Sequence, residues 1–301
     1  MGGHGLYGRP PRELAPTPAD AVQVSPLIPG SQALEDLSEG GLDAATLLAP
    51  PGAAERRYVL AQALRALKPG GDLLALAPKD KGGSRLGKEL AAFGLEVAES
   101  GRRHHRICHA VRPAELRGLD DAIAAGAPRL SKTLGLWTQP GVFAWDRVDP
   151  GSALLLDHLP PLEGRGADLG CGLGVLARAV LASKDIAELA LVDIDRRAVD
   201  CARRNVDDPR ARFLWADVRG GADLADLDFV VMNPPFHDGG AEDRSLGAAF
   251  IAAAARALKP GGRLLMVANL HLPYEAPLRE AFGKVALLAE TGGYKVHEAR
   301  R

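Results

Sequence analysis

The second half of the chain alternates short apolar runs with stretches whose apolar residues recur at helical spacing. The apolar runs predict strands at 167–169, 189–193, 212–216, 229–232, 264–268, 285–289 and 294–297, and the helical spacing predicts helices at 175–182, 196–205 and 246–258. Strands that alternate with helices pair in parallel, so we expect an α/β domain with a seven-stranded, doubly wound, mostly parallel sheet. Only a Thr-Gly-Gly turn separates the last two strands, which predicts that the final strand runs antiparallel.

Part of this pattern occurs twice. Residues 65–77 (RALKPGGDLLALA) match residues 256–268 (RALKPGGRLLMVA), and AESG at 98–101 matches AETG at 289–292 with the same separation of 191 residues. In each copy we expect a helix to end at Lys-Pro-Gly-Gly, because proline cannot continue a helix, and a buried strand to follow. The repeat predicts two domains, a smaller degenerate α/β copy at 1–128 and a larger domain at 129–301.

The first copy is expected to be truncated. If the separation of 191 residues is constant, the counterpart of the start of the second domain falls before residue 1. Residues 1–40 are rich in proline and glycine, which is typical of loops and turns. We therefore expect the first domain to keep only the back half of the repeat.

Composition and charge exclude several classes of protein. Hydrophobic residues make up 47% and charged residues 25%, which favours a buried core over disorder. The formal net charge is −1, so any contact with nucleic acid must rest on local basic patches. Three cysteines cannot build a disulfide framework, and their spacing fits no metal site. No apolar run approaches the ~18 residues of a membrane span, so we expect a soluble cytoplasmic protein without metal or membrane.

The first chemical motif is Asp168-Leu-Gly170-Cys-Gly172-Leu-Gly174, between a predicted strand and a predicted helix. Alternating glycines allow a sharp turn and a close approach of a ligand to the backbone. The acidic residue before them can contact an ammonium group, and amides at the helix start can contact a carboxylate. The combination suits a nucleoside that carries an amino acid better than a pyrophosphate. A glycine turn that only packs strand against helix is the alternative.

Acidic residues follow the next two predicted strands. Asp193 lies about twenty residues beyond the glycines, where a carboxylate can accept hydrogen bonds from both ribose hydroxyls. Asp217 ends the third strand and can accept from the exocyclic amine of a purine, although an exposed acid at a strand end explains it equally well. We expect Asp195 to be the N-cap of the helix that begins at Arg196.

The most specific motif is Asn233-Pro234-Pro235-Phe236, after the fourth strand. The prolines make the backbone rigid and remove its donors. The Asn233 amide oxygen and the Pro234 carbonyl can accept hydrogen bonds from a planar NH2 group, which frees the nitrogen lone pair to attack an electrophilic methyl group. Phe236 offers a ring on which a base can stack. The motif therefore indicates methylation of a planar nitrogen, and a Pro-Pro turn closed by a buried Phe is the structural alternative.

In this order, one per strand end, these motifs resemble class I S-adenosylmethionine-dependent methyltransferases, and Asn-Pro-Pro-Phe resembles their amino-methylating branch. NPPFHDGG (233–240), VANLHLPYEAPLREAFG (267–283) and PGVFAWDRVDPGSALLL (140–156) narrow the resemblance to the ribosomal RNA small subunit methyltransferase C group and its relative, the large subunit methyltransferase G group. Both groups methylate guanine N2 in rRNA and carry a degenerate N-terminal methyltransferase domain.

The resemblance implies S-adenosylmethionine as the cofactor and rRNA, above all 16S rRNA of the small ribosomal subunit, as the partner. It implies that the glycines hold the methionine part, with the ammonium, ribose and adenine each near an acid. The implied cofactor-binding residues are Asp168, Gly170, Gly172, Gly174, Asp193 and Asp217. The implied catalytic residues are Asn233, Pro234, Pro235 and Phe236. Transfer would be direct, the guanine would have to be flipped out of the RNA, and a monomer is favoured.

Two groups of residues keep alternative interpretations. The basic run contains Arg102, Arg103 and Arg106, which either contact RNA phosphates or keep an edge strand from aggregating. The aromatic residues near the start of the second domain either close over the cofactor or the base, or are buried in packing between the two domains; they are Trp137, Phe143 and Trp145.

Two other functions also remain open. The first is methylation of another planar nitrogen, in 23S rRNA guanine N2, in adenine N6 or in a protein glutamine amide. The second is a non-catalytic module for RNA binding or ribosome assembly, against which the intact Asp168 and Asn233 argue.

Overall fold

The computed structural model describes residues 3–220, 222–235, 237–238, 241–242 and 244–301, with the backbone alone at 237, 238, 241, 242 and 244. The chain divides into two compact units, Met1–Pro128 and Arg129–Arg301, and each unit is built around its own sheet. Within the described ranges, no helix has the length and apolar character needed to cross a membrane.

The first unit contains, in chain order, β1 (Gly3–Tyr7), β2 (Val22–Gln23), β3 (Leu42–Leu48), α1 (Ala53–Ala66), β4 (Leu67–Pro78), α2 (Ser84–Ala92), β5 (Ala98–Arg102), β6 (His105–Val111) and α3 (Leu119–Gly126). Its strands form one sheet in the order β2-β1-β3-β4-β6-β5, in which β6 is antiparallel to both neighbours. Helix α1 is rich in Ala, Leu and Arg, which have high helix propensity. Its apolar residues pack with α2 and α3 against one face of the sheet.

The second unit contains β7 (Arg129–Ser131), β8 (Leu136–Thr138), α4 (Pro150–Asp157), β9 (Gly164–Leu169), α5 (Val175–Val180), β10 (Ile186–Asp193), α6 (Arg196–Asn205), β11 (Ala211–Trp215), β12 (Leu227–Met232), β13 (His237–Asp238), β14 (Ala241–Glu242), α7 (Arg244–Ala257), β15 (Leu258–Asn269), α8 (Glu275–Ala281), β16 (Lys284–Thr291) and β17 (Tyr294–Arg300). The main sheet has the order β11-β10-β9-β12-β15-β17-β16. Strand β17 is antiparallel to β15 and β16, and the other pairs are parallel. The prediction of a mostly parallel sheet of seven strands with one reversed strand is confirmed for the described part of the chain.

Helices cover both faces of this sheet. Apolar residues alternate along the strands, so that one set packs against α7 and α8 and the other against α4, α5 and α6. Leu191 and Val231 belong to the second set and are completely buried. Burial of each contributes about 1.5–3 kcal/mol. This two-sided core holds the strand ends in fixed positions relative to one another.

Both Lys-Pro-Gly-Gly copies form the same bulge. The strands begin at Leu67 and Leu258, directly after α1 and α7, and in each the pairing register then shifts. Gly70 and Gly261 have φ values of +80° and +81°, a left-handed conformation that glycine adopts without strain. The helix end and the buried strand that the repeat predicted are therefore confirmed in both copies.

The expectation that the first unit keeps only the back half of the repeat was wrong. Strand β1 lies between β2 and β3 as β9 lies between β10 and β12, so a counterpart of the central strand is present. The constant separation fails because the connection from β1 to β3 is shorter than the one from β9 to β12, and a single 3-10 turn stands where the second unit has α5 and α6. Gly8-Arg-Pro-Pro replaces the glycine turn after β1, and Leu14 and Ala15 pack on Leu76.

Candidate active site

The predicted site residues lie at the carboxyl ends of four strands. Asp168 is the penultimate residue of β9 and Asp193 the last residue of β10, while Asp217 and Asn233 follow β11 and β12. The four strands are neighbours, in the order β11-β10-β9-β12. Strands β9 and β12 flank the point where the strand order reverses, at which open α/β sheets bind ligands. The structure therefore brings the four motifs to one edge of the sheet.

The glycine motif forms a tight turn between β9 and α5. Gly170, Gly172 and Gly174 have φ values of +77°, +51° and +80°. The amides of Gly170 and Cys171 donate to the Val192 carbonyl at 2.8 and 3.0 Å, which ties the turn to the neighbouring strand. A Cβ atom placed on Gly172 would meet no atom within 4 Å. The space next to Gly172 is therefore open to a ligand.

Asp193 fastens the same turn from the next strand. Its Oδ2 accepts a hydrogen bond from the Gly172 amide at 2.9 Å, and its Oδ1 accepts from the Asp195 amide at 2.9 Å. Burial raises the pKa of Asp193 to about 6, although these backbone donors lower it. Asp195 accepts from the Arg197 amide and is the N-cap of α6, so that prediction is confirmed.

Asp168 is a buried carboxyl group without a partner. Its side chain is completely buried, and neither carboxyl oxygen has a hydrogen-bond partner among the described residues. Burial, with repulsion from Asp193, raises the pKa of Asp168 to about 7. A buried acid of this kind is stabilised by a positively charged donor, because an isolated buried charge is costly.

Asp217 forms an ion pair with Arg219, two residues further along the same loop. Its two carboxyl oxygens accept from the Arg219 guanidinium at 2.7 to 3.0 Å, and its Oδ1 also accepts from the Arg219 amide. The Arg219 side chain is 43% exposed, so exchange of this ion pair for another donor costs little. Its predicted contact with an adenine amine stays a prediction.

The Asn233 side chain is held from one side. Its Nδ2 donates to Oδ2 of Asp149 at 2.7 Å and to Oγ of Ser152 at 3.0 Å. Asp149 is also the N-cap of α4, accepting from the Ser152 amide at 2.7 Å. The amide nitrogen is therefore fully used, whereas Oδ1 accepts no hydrogen bond from any residue that the structure describes.

A cavity of about 290 Å³ lies next to Asn233. Pro234 and Tyr294 line it together with Asn233, and Phe143 and Val148 line it from the segment before α4. Phe143 and Val148 are 54% and 64% exposed, so the cavity has an apolar rim open to solvent. Its size and its mixture of apolar residues with a few polar groups, among them Asp149 and Asn233, suit a purine base.

The aromatic residues separate into two groups. Phe143 lines the cavity. Trp137 lies under the Arg204 guanidinium, 4.6 Å from its ring centre, and Trp145 lies under Arg129 at 5.3 Å. Closure over a ligand stays a prediction for Phe143, and the two tryptophans contact arginines of their own unit.

Phe236 lies outside the described residues, so its predicted stacking role stays a prediction. Pro234 is buried and Pro235 is exposed directly after β12. Sequence reasoning missed Asp149 and Ser152. The signal was available in part, because Asp followed by Pro is a helix-start signature. That signature predicts the N-cap of α4 and gives no indication of the contact with Asn233.

The residues present fit S-adenosylmethionine. Asp168 offers two unpartnered buried oxygens to an ammonium group, and the space next to Gly172 is open to a ligand. The ribose hydroxyls are natural donors to Asp193, whose carboxylate has lone pairs beyond its two backbone bonds. The described ranges contain no cluster of His, Cys, Asp or Glu that could hold a metal ion.

Sheet order, glycine turn and strand-end acids define the class I methyltransferase fold. The family model for the methyltransferase small domain matches residues 133–298. The ribosomal RNA small subunit methyltransferase C of Shewanella amazonensis is 34% identical over 268 residues, which are 86% of this chain and 77% of that protein. The protein of the same name from Pseudomonas aeruginosa is 33% identical over 290 residues, 94% of this chain and 86% of the other. The chain belongs to the ribosomal RNA small subunit methyltransferase C family.

A solved relative matches the whole chain. The structure of the T. thermophilus 16S rRNA N2 methyltransferase, in complex with S-adenosylmethionine and guanosine, has a TM-score of 0.80 and 27% identity to this chain. The match covers 100% of this chain and 88% of that one, so both units have counterparts there. The fold and the family that the sequence predicted are confirmed.

Proposed function

We propose that this chain transfers a methyl group from S-adenosylmethionine to the exocyclic N2 amine of a guanine in 16S rRNA. The main support is the Oδ1 atom of Asn233, which accepts no hydrogen bond from the described residues and lies beside a cavity of about 290 Å³, on the same sheet edge as the buried Asp168. The T. thermophilus relative is named for guanine 1207, so we propose the equivalent nucleotide as the target. Such a substrate implies a reaction in the cytoplasm.

The chain itself supplies acceptors and a cavity beside them. Asn233 Oδ1 and the Pro234 carbonyl accept the two N–H bonds of the amine, which turns the nitrogen lone pair toward the methyl group. When bound, S-adenosylmethionine supplies that methyl group on a positively charged sulfur. Positioning supplies most of the acceleration, because a preoriented pair of reactants avoids the entropy cost of their encounter. Asn233 is no base, so the amine proton leaves to solvent after transfer.

We assign the other site residues by their places at the sheet edge. Asp168 contacts the ammonium group, Asp193 the ribose hydroxyls, and Asp217 the adenine amine once Arg219 moves aside. The methionine part lies along the turn formed by Gly170, Gly172 and Gly174. Pro235 keeps the turn rigid, and Phe236 stacks on the base.

The first unit contains a related turn whose acceptors are occupied. Residues 49–52 (Ala-Pro-Pro-Gly) follow β3, the counterpart of β12, and so correspond to residues 233–236. Nη1 of Arg56, whose side chain is buried, donates to the carbonyls of Pro50 at 3.1 Å and Pro51 at 2.7 Å. Guanine N2 belongs to a guanidine-like group. Arg56 is therefore an example, within this chain, of a planar NH2 group on the carbonyls of a Pro-Pro turn.

The test is methylation with labelled S-adenosylmethionine of unmodified small subunits, free 16S rRNA, 23S rRNA, DNA and a protein with an acceptor glutamine. We expect label in 16S rRNA alone, and nucleoside analysis should find N2-methylguanosine at the position equivalent to guanine 1207. Label on adenine N6 or on glutamine would contradict the proposal. Binding of rRNA without any transfer would favour a non-catalytic module.

We further propose that the first unit contacts RNA phosphates through the carboxyl edge of its sheet. Arg9, Arg12, Lys79 and Arg102 are exposed there and make no ion pair with any residue that the structure describes. Arg102 donates to the Glu13 carbonyl at 3.3 Å, and the Glu13 carboxylate pairs with Arg103 at 2.6 Å. Phosphate contacts of this kind position RNA without reading its sequence.

Arg106 does not belong to this surface, because it is half-buried and pairs with Glu99 at 3.2 Å. We expect the double variant Lys79→Glu and Arg102→Glu to raise KM for 16S rRNA about tenfold and to flatten the dependence of binding on salt. The matched control is Lys88→Glu on the exposed side of α2, which should change neither. If the double variant and Lys88→Glu change KM and salt dependence equally, this edge of the first sheet does not bind the RNA.

A further inference from the structure

Three residues around the start of α4 form a closed set of hydrogen bonds. Asn233 Nδ2 donates to Asp149 Oδ2 at 2.7 Å and to Ser152 Oγ at 3.0 Å. The same Oδ2 accepts from the Ser152 amide at 2.7 Å. All three residues are half-buried, and Asp149 and Asn233 line the cavity next to the Pro-Pro turn. We call this set the Asn233 clamp.

The charge of Asp149 determines which end of the Asn233 amide faces it. An ionised carboxylate only accepts hydrogen bonds, so only the NH2 end of an amide can approach it to 2.7 Å. The flipped amide would put two oxygen atoms against each other. Both hydrogens of Nδ2 are used within the clamp, so Oδ1 lies at the opposite end of the planar group.

We propose that Asp149 and Ser152 are positioning residues that hold the Asn233 amide in the orientation that accepts the substrate amine. The inference rests on the proposed function, because that orientation matters only for an acceptor that carries N–H bonds. In the flipped orientation Asn233 would present its own NH2 group to the NH2 group of guanine, donor against donor. The clamp therefore prepares the site before the base arrives, and any flipped population reduces the apparent affinity for guanine in proportion.

A purely structural role of Asp149 is separable from this one, since Asp149 also caps α4. Serine is as good an N-cap as aspartate. A serine hydroxyl both donates and accepts, however, and so cannot select one end of an amide. Asp149→Ser therefore keeps the cap and removes the selection. Ser152→Thr keeps the hydroxyl of the clamp, and Ser152→Ala removes it.

The experiment compares these variants in four measurements: thermal unfolding, S-adenosylmethionine affinity, guanosine affinity, and kcat/KM on the amine that the wild type methylates. For Asp149→Ser we expect unfolding and cofactor affinity close to the wild type, and losses of about tenfold or more in guanosine affinity and kcat/KM. Ser152→Ala should lose about threefold to tenfold. Ser152→Thr should restore most of the activity.

The variant Asn233→Ala tests whether Asp149 affects guanosine binding by orienting the Asn233 amide. In that background Asp149→Ser should lower guanosine affinity by less than about twofold, because no amide remains to be oriented. An equal loss in both backgrounds, or wild-type affinity and activity in Asp149→Ser, would overturn the clamp. The wild-type product tests the proposed function separately: transfer to another planar nitrogen contradicts the guanine assignment, while the variant ratios still test the clamp.

Discussion

Asp168 shows how a single residue ties the fold to its ligand. The folded chain holds its pKa at about 7, against an ordinary value of 3.8, because the carboxyl group is buried beside Asp193, and the nearby Ala177 amide only partly offsets this rise. The folded state therefore binds a proton that the unfolded chain releases, and this group's contribution to stability is lost as pH rises from about 4 to about 7. An ammonium group from a ligand would reverse that cost.

We expect affinity for S-adenosylmethionine to weaken as pH falls from about 7.5 to about 5.5, by up to about tenfold per pH unit, because the ammonium contact requires ionised Asp168. Calorimetric titration across this range measures it. Asp168→Asn should bind more weakly at about pH 7.5 and show a flatter pH dependence. At about pH 8 its free energy of unfolding should exceed that of the wild type by on the order of 1–3 kcal/mol. Near pH 4 the two proteins should be equally stable. Affinity that is independent of pH in the wild type would rule out the contact.

Two glycines of the same turn should respond differently to alanine. At Gly172 a Cβ meets no protein atom within 4 Å, so Gly172→Ala should cost about 1 kcal/mol of stability from its positive φ and at least about tenfold in cofactor affinity. At Gly174 a Cβ would lie 3.0 Å from Val206, so Gly174→Ala should mainly destabilise the fold. Thermal unfolding with and without S-adenosylmethionine separates the two. A Gly172→Ala protein with wild-type affinity would mean that the ligand lies elsewhere.

At the scale of elements, the Pro-Pro turn after β12 contains residues that shape the backbone and one residue, Asn233, that the backbone does not need. The corresponding turn of the first unit keeps both prolines and replaces Asn233 by alanine. The turn can therefore form without the asparagine, which indicates that Asn233 serves the substrate rather than the backbone.

Asn233→Ala should accordingly abolish methyl transfer, by about a hundredfold or more, while S-adenosylmethionine affinity stays within about threefold of the wild type. Single-turnover transfer and calorimetry on the same preparation give the two numbers. A parallel loss of both would assign Asn233 a structural role.

Elements with strong hydrophobic patterns were predictable, and short ones were not. The seven strands were found because each contains a short apolar run; in β12 that run is buried on both faces, whereas β16 is largely exposed. Helix α6 was predicted with its exact bounds because Asp195 marks its start. Strands β7 and β8 have three residues each, too few to show a period, and α4 and α8, with eight and seven residues, have only about two turns each. The strand-end residues were predictable because parallel strands end at one edge. The contact between Asp149 and Asn233 joins residues 84 positions apart and has no local signal.

At the scale of the molecule, both units share one strand order, but only the second unit has the site residues. The sequence repeat indicated the duplication correctly, yet a fixed separation between copies led to the wrong expectation of a half-domain. Connections between strands tolerate deletion far better than the strands themselves, because they lie at the surface. Within its described residues, the first unit keeps counterparts of six of the seven strands, all but β11, while the glycine turn, the strand-end acids and the asparagine are not kept.

The chain should therefore bind one S-adenosylmethionine in total, in the second unit. In the first unit Arg56 occupies the carbonyls of the Pro-Pro turn, and Leu14 and Ala15 pack against Leu76 beside strand ends that lack the glycine turn. Calorimetry should saturate at one cofactor per chain, and Asp168→Asn should weaken that single event. A second saturable event that persists in Asp168→Asn would show that the first unit has kept a site.

The most direct measurement is the structure of the chain with S-adenosylhomocysteine and guanosine bound. We expect the amino-acid end of S-adenosylhomocysteine at Asp168, its ribose at Asp193, and guanine N2 within hydrogen-bond distance of Asn233 Oδ1 and the Pro234 carbonyl. Guanosine bound away from Asn233, or an Asn233 amide whose NH2 end faces the base, would contradict it.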